Sequence, residues 1–384
     1  LSDAPPFVPD IMGIDENSLA ELFYTSGTSA MPKGVMLTHR NVYLHAVDTF
    51  LALHTRELRV GLHTIPLFHA NGWGAAHSLT FIGGKHVMLH RFVANDVFRL
   101  VEREGVSTLH LVPIMALALV NSPDREKYDL SCLKWISIGG AASSPTLIRE
   151  VEEKLGCECF AGYGLTETAP VLSTARLKPG RRLQGEDRYI AQAMTGYALP
   201  GVEIRVVDAE DRDVPRDGKT MGEVIARADG VMLGYWRQPQ ATAEVIRNGW
   251  FHTGDMATMH PDGSFLIVDR KKDIIISGGE NISSLEVEKT MGAHPAVYEV
   301  AVIPVPDEKW GEVPRALVVL KPDANVTEAE LIEFCRSRLS HYKCPRSVEF
   351  VENLPKTATG KVQKKSLRQK FRGQDAGSEV ARHD

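Results

Sequence analysis

Cysteine is scarce in this chain: five in 384 residues, with no C-x-x-C pair. That usage offers neither a disulfide framework nor a zinc site, and it suits a reducing cytoplasm. Cys157 and Cys159 stand one residue apart, a spacing that places both on one face of a strand. A basic surplus is missing too: 44 Lys and Arg against 49 Asp and Glu give a net charge of −5, which argues against a nucleic-acid partner. Long hydrophobic runs are absent. The best, Leu109–Val120, carries His110 and Pro113 and stops short of the roughly 18 residues a bilayer crossing needs. No transmembrane segment is expected. The opening "LSDAPPFVPD" has no basic region and no apolar core, so it does not read as a signal peptide, and it lacks a methionine. The sequence is therefore expected to be a piece of a longer chain. Internal repeats and low-complexity tracts are also lacking.

What is present is the composition of a globular protein, 43% hydrophobic and 24% charged, at a length that calls for two or more domains. From Leu19 to about Pro170, strand-like runs ("LAELFYTS", "GKHVMLH", "VSTLHLVP", "LKWISIGGA") alternate with amphipathic patterns ("NDVFRLVEREG", "SPTLIREVEEKLG"). Ser144 and Pro145 open the second of these as cap and first-turn residue. Strand-helix alternation predicts an α/β fold, a mostly parallel sheet with flanking helices, over residues 1–194. Residues 195–269 read as a β-rich subdomain of short strands separated by turns such as "PRDG" and "HPDG". Residues 270–384 read as a small, mobile α+β domain, entered through "DRKKD".

Chemistry concentrates in a few stretches. "YTSGTSAMPKG" (Tyr24–Gly34) packs five hydroxyls and several small residues beside one lysine. Small residues let backbone N–H groups approach polyphosphate oxygens, hydroxyls add donors, and Lys33 adds charge. The common nucleotide loop G-x-x-x-x-G-K-[ST] is not matched, so this is a phosphate loop of another kind, or a solvated turn. "GYGLTETAP" (Gly162–Pro170) combines close-packing glycines, the stacking face of Tyr163, and Glu167 as a hard oxygen ligand for Mg²⁺. "GWFHTGD" ends on Asp255, a carboxylate suited to both hydroxyls of a ribose, or to capping a turn. "DRKKDIIISGGENI" and "LPKTATGKVQKK", the latter with Lys361 after a glycine, complete the set.

These motifs, in this order from about Leu19 to Arg368 and with "GEVIARADGVMLGYW" among them, resemble the acyl-adenylate-forming enzymes. That superfamily includes acyl- and aryl-CoA synthetases, adenylation domains of peptide synthetases, and luciferase; the phrases "GGENISSLEVE" and "LPKTATGKVQKK" are most similar to short- and medium-chain fatty acyl-CoA synthetases. The resemblance implies an N-terminal subdomain that this sequence does not contain. It implies that Thr25, Ser26, Gly27, Thr28 and Lys33 hold the ATP phosphates, and that Gly140 and Ala141 with Tyr163 frame the adenine. Thr166 and Glu167 would contact phosphate and Mg²⁺. Asp255 would hold the ribose with Arg270 assisting, and Lys361 would bridge the acid and the α-phosphate. Lys272 would be the hinge of the small domain, with Gly278 and Gly279 lining the thiol's approach. His69 would border the acyl pocket, followed by a helix containing Gly72, Trp73, Gly74, Ala75 and Ala76, small and apolar apart from Trp73. One departure stands out: Ser29 and Ala30 occupy positions where relatives place threonine and glycine. Serine keeps the hydroxyl, but alanine adopts positive φ only at a cost and would slow loop closure.

The implied reaction is physically coherent. A carboxylate is a poor electrophile until its oxygen attacks the α-phosphorus of ATP, forming acyl-AMP and releasing pyrophosphate. CoA thiol then displaces AMP. Two anions meet in the first step, so Lys361, Lys33 and Mg²⁺ are needed to offset repulsion, and no side-chain nucleophile is required. No Lys, Arg or Asp stands beside Gly72–Ala76 to pair with an amino acid, so a short- to medium-chain fatty acid is the expected substrate. The alternatives are an aryl-CoA ligase, or a protein that binds nucleotide or acyl-adenylate without turnover.

Opposite defects are expected from two substitutions. Lys361→Ala should fail to release pyrophosphate from ATP and acid, yet convert supplied acyl-AMP and CoA to thioester. Lys272→Pro, which fixes φ at the implied hinge, should show the reverse. Chromatography of both half-reactions decides, and loss of the same half-reaction in both variants would refute the mechanism.

Overall fold

The architecture comes from a computed structural model that describes residues 13–25, 32–53, 59–178, 180–356 and 362–370. They fall into two compact units, Leu1–Thr253 with Thr258–Leu266, and Gly254–Ala257 with Ile267–Asp384. The strand Trp250–Met259 contributes residues to both. Among the described residues no helix is long and apolar enough to cross a membrane.

The larger unit is built on a seven-stranded sheet. Its order is Lys85–Met88, Val60–His63, Thr108–Leu111, Trp135–Ile138, Glu158–Gly164, Val171–Thr174, Tyr197–Ala198. The first five strands are parallel and the last two antiparallel. Parallel strands need crossovers, and amphipathic helices supply them. In Ala94–Glu104, Val97, Phe98 and Val101 form one buried stripe before Gly105 ends the helix with φ 67°. In Pro145–Leu155, the Ser144 hydroxyl accepts the Leu147 N–H at 3.1 Å, Pro145 occupies the first turn, and Leu147, Ile148, Val151 and Leu155 face inward. The expected start signals of this helix act as read. Both stripes join Leu109, Leu111, Ile136 and Ile138 in one core. Cys157 and Cys159 are both buried, Cys159 inside a strand and Cys157 just before it.

One strand goes elsewhere. "LAELFYTS" does form a strand, Leu19–Thr25, but it leaves the parallel sheet and pairs antiparallel with Lys33–Thr38. Gly234–Tyr235 adds a third strand on the far edge of Lys33–Thr38. That partner lies two hundred residues away along the chain, and no local pattern announces it. A further sheet, in the order Glu203–Val207, Met221–Arg227, Trp250–Met259, Ile246–Arg247, with Phe265–Arg270 beside Trp250–Met259, makes up the β-rich region.

The smaller unit carries a sheet ordered Glu280–Ile282, Ile275–Ser277, Gly311–Leu320, Val297–Asp307, with Ser347–Phe350 parallel to Gly311–Leu320. Helices Ser284–Gly292 and Glu328–Arg336 bury Val287, Met291, Leu331 and Cys335 against Val302, Ala316 and Val318. Thr327 opens the second helix with reciprocal bonds to Glu330, at 2.8 and 3.3 Å.

Phe98 is 1% exposed, and its ring lies 5.8 Å from that of Tyr128. Phe98→Ala is therefore expected to cost about 3–5 kcal/mol. The urea midpoint measures this, and a loss well under 1 kcal/mol would mean the site collapses freely.

Candidate active site

In the larger unit, hairpin pairing sets Thr25 directly opposite Lys33. The pairing of Gly234–Tyr235 with the same strand then brings the Tyr235 ring under the Lys33 ammonium, 4.7 Å from its centroid. The Tyr235 hydroxyl donates to Glu167 Oε1 at 3.0 Å. Burial, reinforced by the Glu167 charge, holds the phenol well above its usual range, so it stays a neutral donor. Glu167 sits in the 3₁₀ turn Thr166–Thr168. Its carbonyl accepts the Met232 N–H at 2.8 Å, and the Thr168 hydroxyl braces the turn against the Pro170 carbonyl at 2.5 Å. Gly164 is obligatory just before it, because a Cβ there would stand 1.9 Å from the Pro170 oxygen. The result is one phenol with a cation on its ring face and a carboxylate at its hydroxyl.

The second cluster lies past the carboxyl ends of the parallel strands, where open α/β sheets place their ligands. Gly139 and Gly140 follow Trp135–Ile138, with Gly140 at φ 76° and Ala141 exposed after it. Tyr163, half-buried, turns its ring edge to Phe265 at 6.1 Å. The Trp73 ring packs on the two glycines: a Cβ on either would meet it at 3.2 Å. Its edge faces His110 at 6.3 Å, and His110 in turn faces Trp135 at 5.3 Å. His69 is exposed beside this group.

The helix expected after His69 forms in two pieces of opposite hand. Ala70, Asn71, Gly72, Trp73 and Gly74 have φ of 42°, 46°, 60°, 60° and 74°, a left-handed turn, and the right-handed helix starts only at Ala75. Gly72, Gly74 and Asn71 tolerate this hand, whereas Ala70 and Trp73 each cost roughly 1–2 kcal/mol. Surrounding contacts offset that strain. Asn71 N–H donates to Leu67 O and Gly74 N–H to Ala70 O, both at 3.0 Å. The Asn71 side-chain amide donates to Glu21 Oε1, and His77 Nε2 stands 3.1 Å from the same oxygen. The His45 and His63 rings flank Gly74 and Gly72.

That neighbourhood is rich in buried imidazole. His45 Nε2 accepts the Val171 N–H at 3.0 Å, which fixes the ring neutral with its proton on Nδ1. Burial, then the nearby His77, pushes it down to about 3. His110 is pushed down to about 4 by burial and then by His63 and Arg59.

In the smaller unit, Asp255 is 2% exposed and Arg270 Nε approaches its Oδ1 at 2.7 Å, so the two residues assigned to one role do meet. Asp255 lies inside a strand, after Gly254 at φ 71°, and not at the end of a tight turn. Burial depresses Lys272 despite Asp273, and Arg270, Arg368 and Lys365 add to the effect. Arg368 donates to the Lys272 carbonyl at 3.1 Å and pairs with Asp273. Gly278 and Gly279, at φ 60° and 89°, form the two-residue turn between Ile275–Ser277 and Glu280–Ile282, beneath the Trp310 ring.

Ser26, Gly27, Thr28, Ser29, Ala30 and Lys361 lie outside the described residues. Three partners went unassigned in the sequence reading. Tyr235 is one, though its motif was legible. The others are Asp269 and Lys364: Asp269 accepts the Ser284 N–H and hydroxyl, both at 2.6 Å, while Lys364 bridges Ser284 and Glu288, each at 2.6 Å. Their motifs, "DRKKD" and "GKVQKK", were visible; their burial was not.

Known proteins resemble this chain over most of its length. The AMP-binding enzyme family model matches residues 4–236, and the AMP-binding enzyme C-terminal domain model matches residues 286–361. A probable CoA ligase, CCL11, of Humulus lupulus is 43% identical over 91% of this chain and 62% of that protein. 4-Hydroxybutyrate–CoA ligase 2 of Metallosphaera sedula is 42% identical over 92% of this chain and 64% of that protein. The chain thus spans under two thirds of either ligase. Among solved structures, o-succinylbenzoate CoA synthetase from Bacillus subtilis with ATP and magnesium superposes with a TM-score of 0.82 at 32% identity, covering 92% of this chain and 70% of that one.

The buried histidines set a pH dependence. Unfolded, each titrates near 6.5; folded, His45 and His110 do so near 3 and 4. Below pH 6.5 the unfolded chain therefore binds protons the native state refuses, and stability falls with pH from there towards 4. His110→Gln should flatten that slope by up to about 1.4 kcal/mol per pH unit. Urea unfolding across this range tests it, and a flat parental profile would contradict the burial.

Proposed function

The chain belongs to the family of AMP-binding enzymes, and on that premise we propose that it activates a carboxylic acid with ATP and transfers the acyl group to CoA. The observation that carries this reading is the convergence of Lys33 and Glu167 on Tyr235, with Thr25 opposite Lys33 and Thr166 next to Glu167 in the chain. It offers a cation and hydroxyls to phosphate oxygens and a carboxylate to a hard metal ion. Tyr235 uses only one of the several lone pairs of Glu167, so the donor set suits Mg²⁺ with ATP. Bound there, Mg²⁺ would neutralise charge on the phosphates.

In the proposed first step a carboxylate oxygen bonds to the α-phosphorus, the bond to the bridging oxygen breaks, and pyrophosphate leaves. Lys33 and the hydroxyls of Thr25, Ser26, Thr28 and Thr166 hold the phosphates, with the backbone of Gly27. Gly140, Ala141 and Tyr163 frame the adenine, and Asp255 with Arg270 orients the ribose. Lys361 offsets the charge where the two anions meet. In the second step the thiol sulfur bonds to the acyl carbon and AMP leaves; Lys272 is the hinge, and Gly278 with Gly279 lines the thiol's approach. His69, Trp73 and Gly74 border the acid. The proposed acid is a short- to medium-chain fatty acid. The proposed setting is the cytoplasm.

The test is an assay of the full-length protein with ATP, Mg²⁺, CoA and a panel of acetate, butyrate, hexanoate, octanoate and benzoate. AMP, pyrophosphate and thioester should form in equal amounts, most with a short or medium alkyl acid. Release of ADP, or nucleotide turnover without thioester, would overturn the reaction. Preference for benzoate would overturn the substrate class alone.

A further inference from the structure

One polar side chain ties five consecutive left-handed residues to a strand far from them in sequence. Asn71 extends from the second residue of the turn to Glu21, on the strand that ends at Thr25. His77, on the helix that follows, closes the triangle at 3.1 Å from Glu21 and 3.3 Å from Asn71. Two residues past Asn71 the Trp73 ring lies on Gly139 and Gly140. The bond from Asn71 to Glu21 thus joins the hairpin strand to the turn that aims the indole.

We infer that Asn71 is a positioning residue: its carboxamide, anchored on Glu21, fixes the left-handed turn that sets Trp73 against Gly139–Gly140, and so governs affinity for the acid. The effect on the acid rests on the reaction proposed above; the placement of Trp73 does not. A plainer role for Asn71, tolerance of positive φ, predicts something different. Aspartate tolerates that backbone as well, but in Asn71→Asp a carboxylate would face the Glu21 carboxylate. Adding Glu21→Gln restores a hydrogen bond of reversed polarity, the new amide donating to the new carboxylate. Glu21→Gln alone keeps an acceptor for the Asn71 amide.

The experiment uses the full-length protein labelled with 5-fluorotryptophan, with the Trp73 resonance assigned through Trp73→Phe. The ¹⁹F signal of Trp73 should shift or broaden in Asn71→Asp and return in Asn71→Asp with Glu21→Gln, while Glu21→Gln alone stays near the parent. In the kinetics, Asn71→Asp should raise KM for the acid roughly tenfold and leave KM for ATP within about twofold, with the double variant recovering most of the loss. An unmoved Trp73 signal in Asn71→Asp, no recovery in the double variant, or equal changes in both KM values would overturn the inference. If Asn71→Asp does not fold, Asn71→Gly keeps the backbone freedom and deletes the carboxamide; an unmoved Trp73 signal there overturns it equally. A parent that activates no acid would sink the proposed reaction, while the fluorine signal would still decide the placement of Trp73.

Discussion

A lysine and a glutamate that share one neighbour would, left alone, pair with each other. Tyr235 prevents this. Its ring face holds the Lys33 ammonium at 4.7 Å and its hydroxyl holds Glu167 at 3.0 Å, so each charge is fixed by a neutral group. A cation–π contact leaves ammonium donors directed outward, and one phenol occupies a fraction of a carboxylate's acceptor sites. The arrangement depends on a short strand, Gly234–Tyr235, reaching Lys33–Thr38 from far along the chain. The hairpin, the 3₁₀ turn and the glycine before it are all arranged around that phenol.

The smaller unit solves the complementary problem of burying charge. Asp269 is 1% exposed and caps the helix at Ser284, while Lys364 and Glu288 meet at 2.6 Å with little solvent around either. Buried ion pairs of this kind contribute little net stability, since desolvation consumes most of the attraction. Their effect is on geometry, because breaking any one bond strands the remaining charges. Asp273 and Arg368 tie the last described helical segment to the residues around Lys272 in the same way.

Much of this was legible in the sequence where the signal was local. Ser144 and Pro145 announced a helix start, and strand-helix alternation announced the parallel sheet. The motifs named Thr25, Lys33, Glu167, Asp255 and Arg270, and the structure brings Thr25 beside Lys33 and Asp255 onto Arg270. What escaped was decided by distant partners. "LAELFYTS" looked like any buried strand, yet its sheet is chosen by the hairpin and by Gly234–Tyr235. The helix expected after His69 forms, but its first turn, Ala70–Trp73, has the opposite hand. Asn71-Gly72, a dipeptide that marks turns, was the contrary signal, and three histidines and a glutamate from elsewhere complete the reason.

The left-handed turn also makes its segment intolerant of length change. Right-handed helix follows it from Ala75, and that neighbour cannot absorb a slipped residue by continuing its own pattern. A one-residue insertion or deletion between His69 and Ala75 would hand the place of Trp73 to Gly72 or Gly74. The indole against Gly139–Gly140 would become a hydrogen atom. At this point in the chain, what covers the two glycines is encoded by counting residues as much as by choosing them.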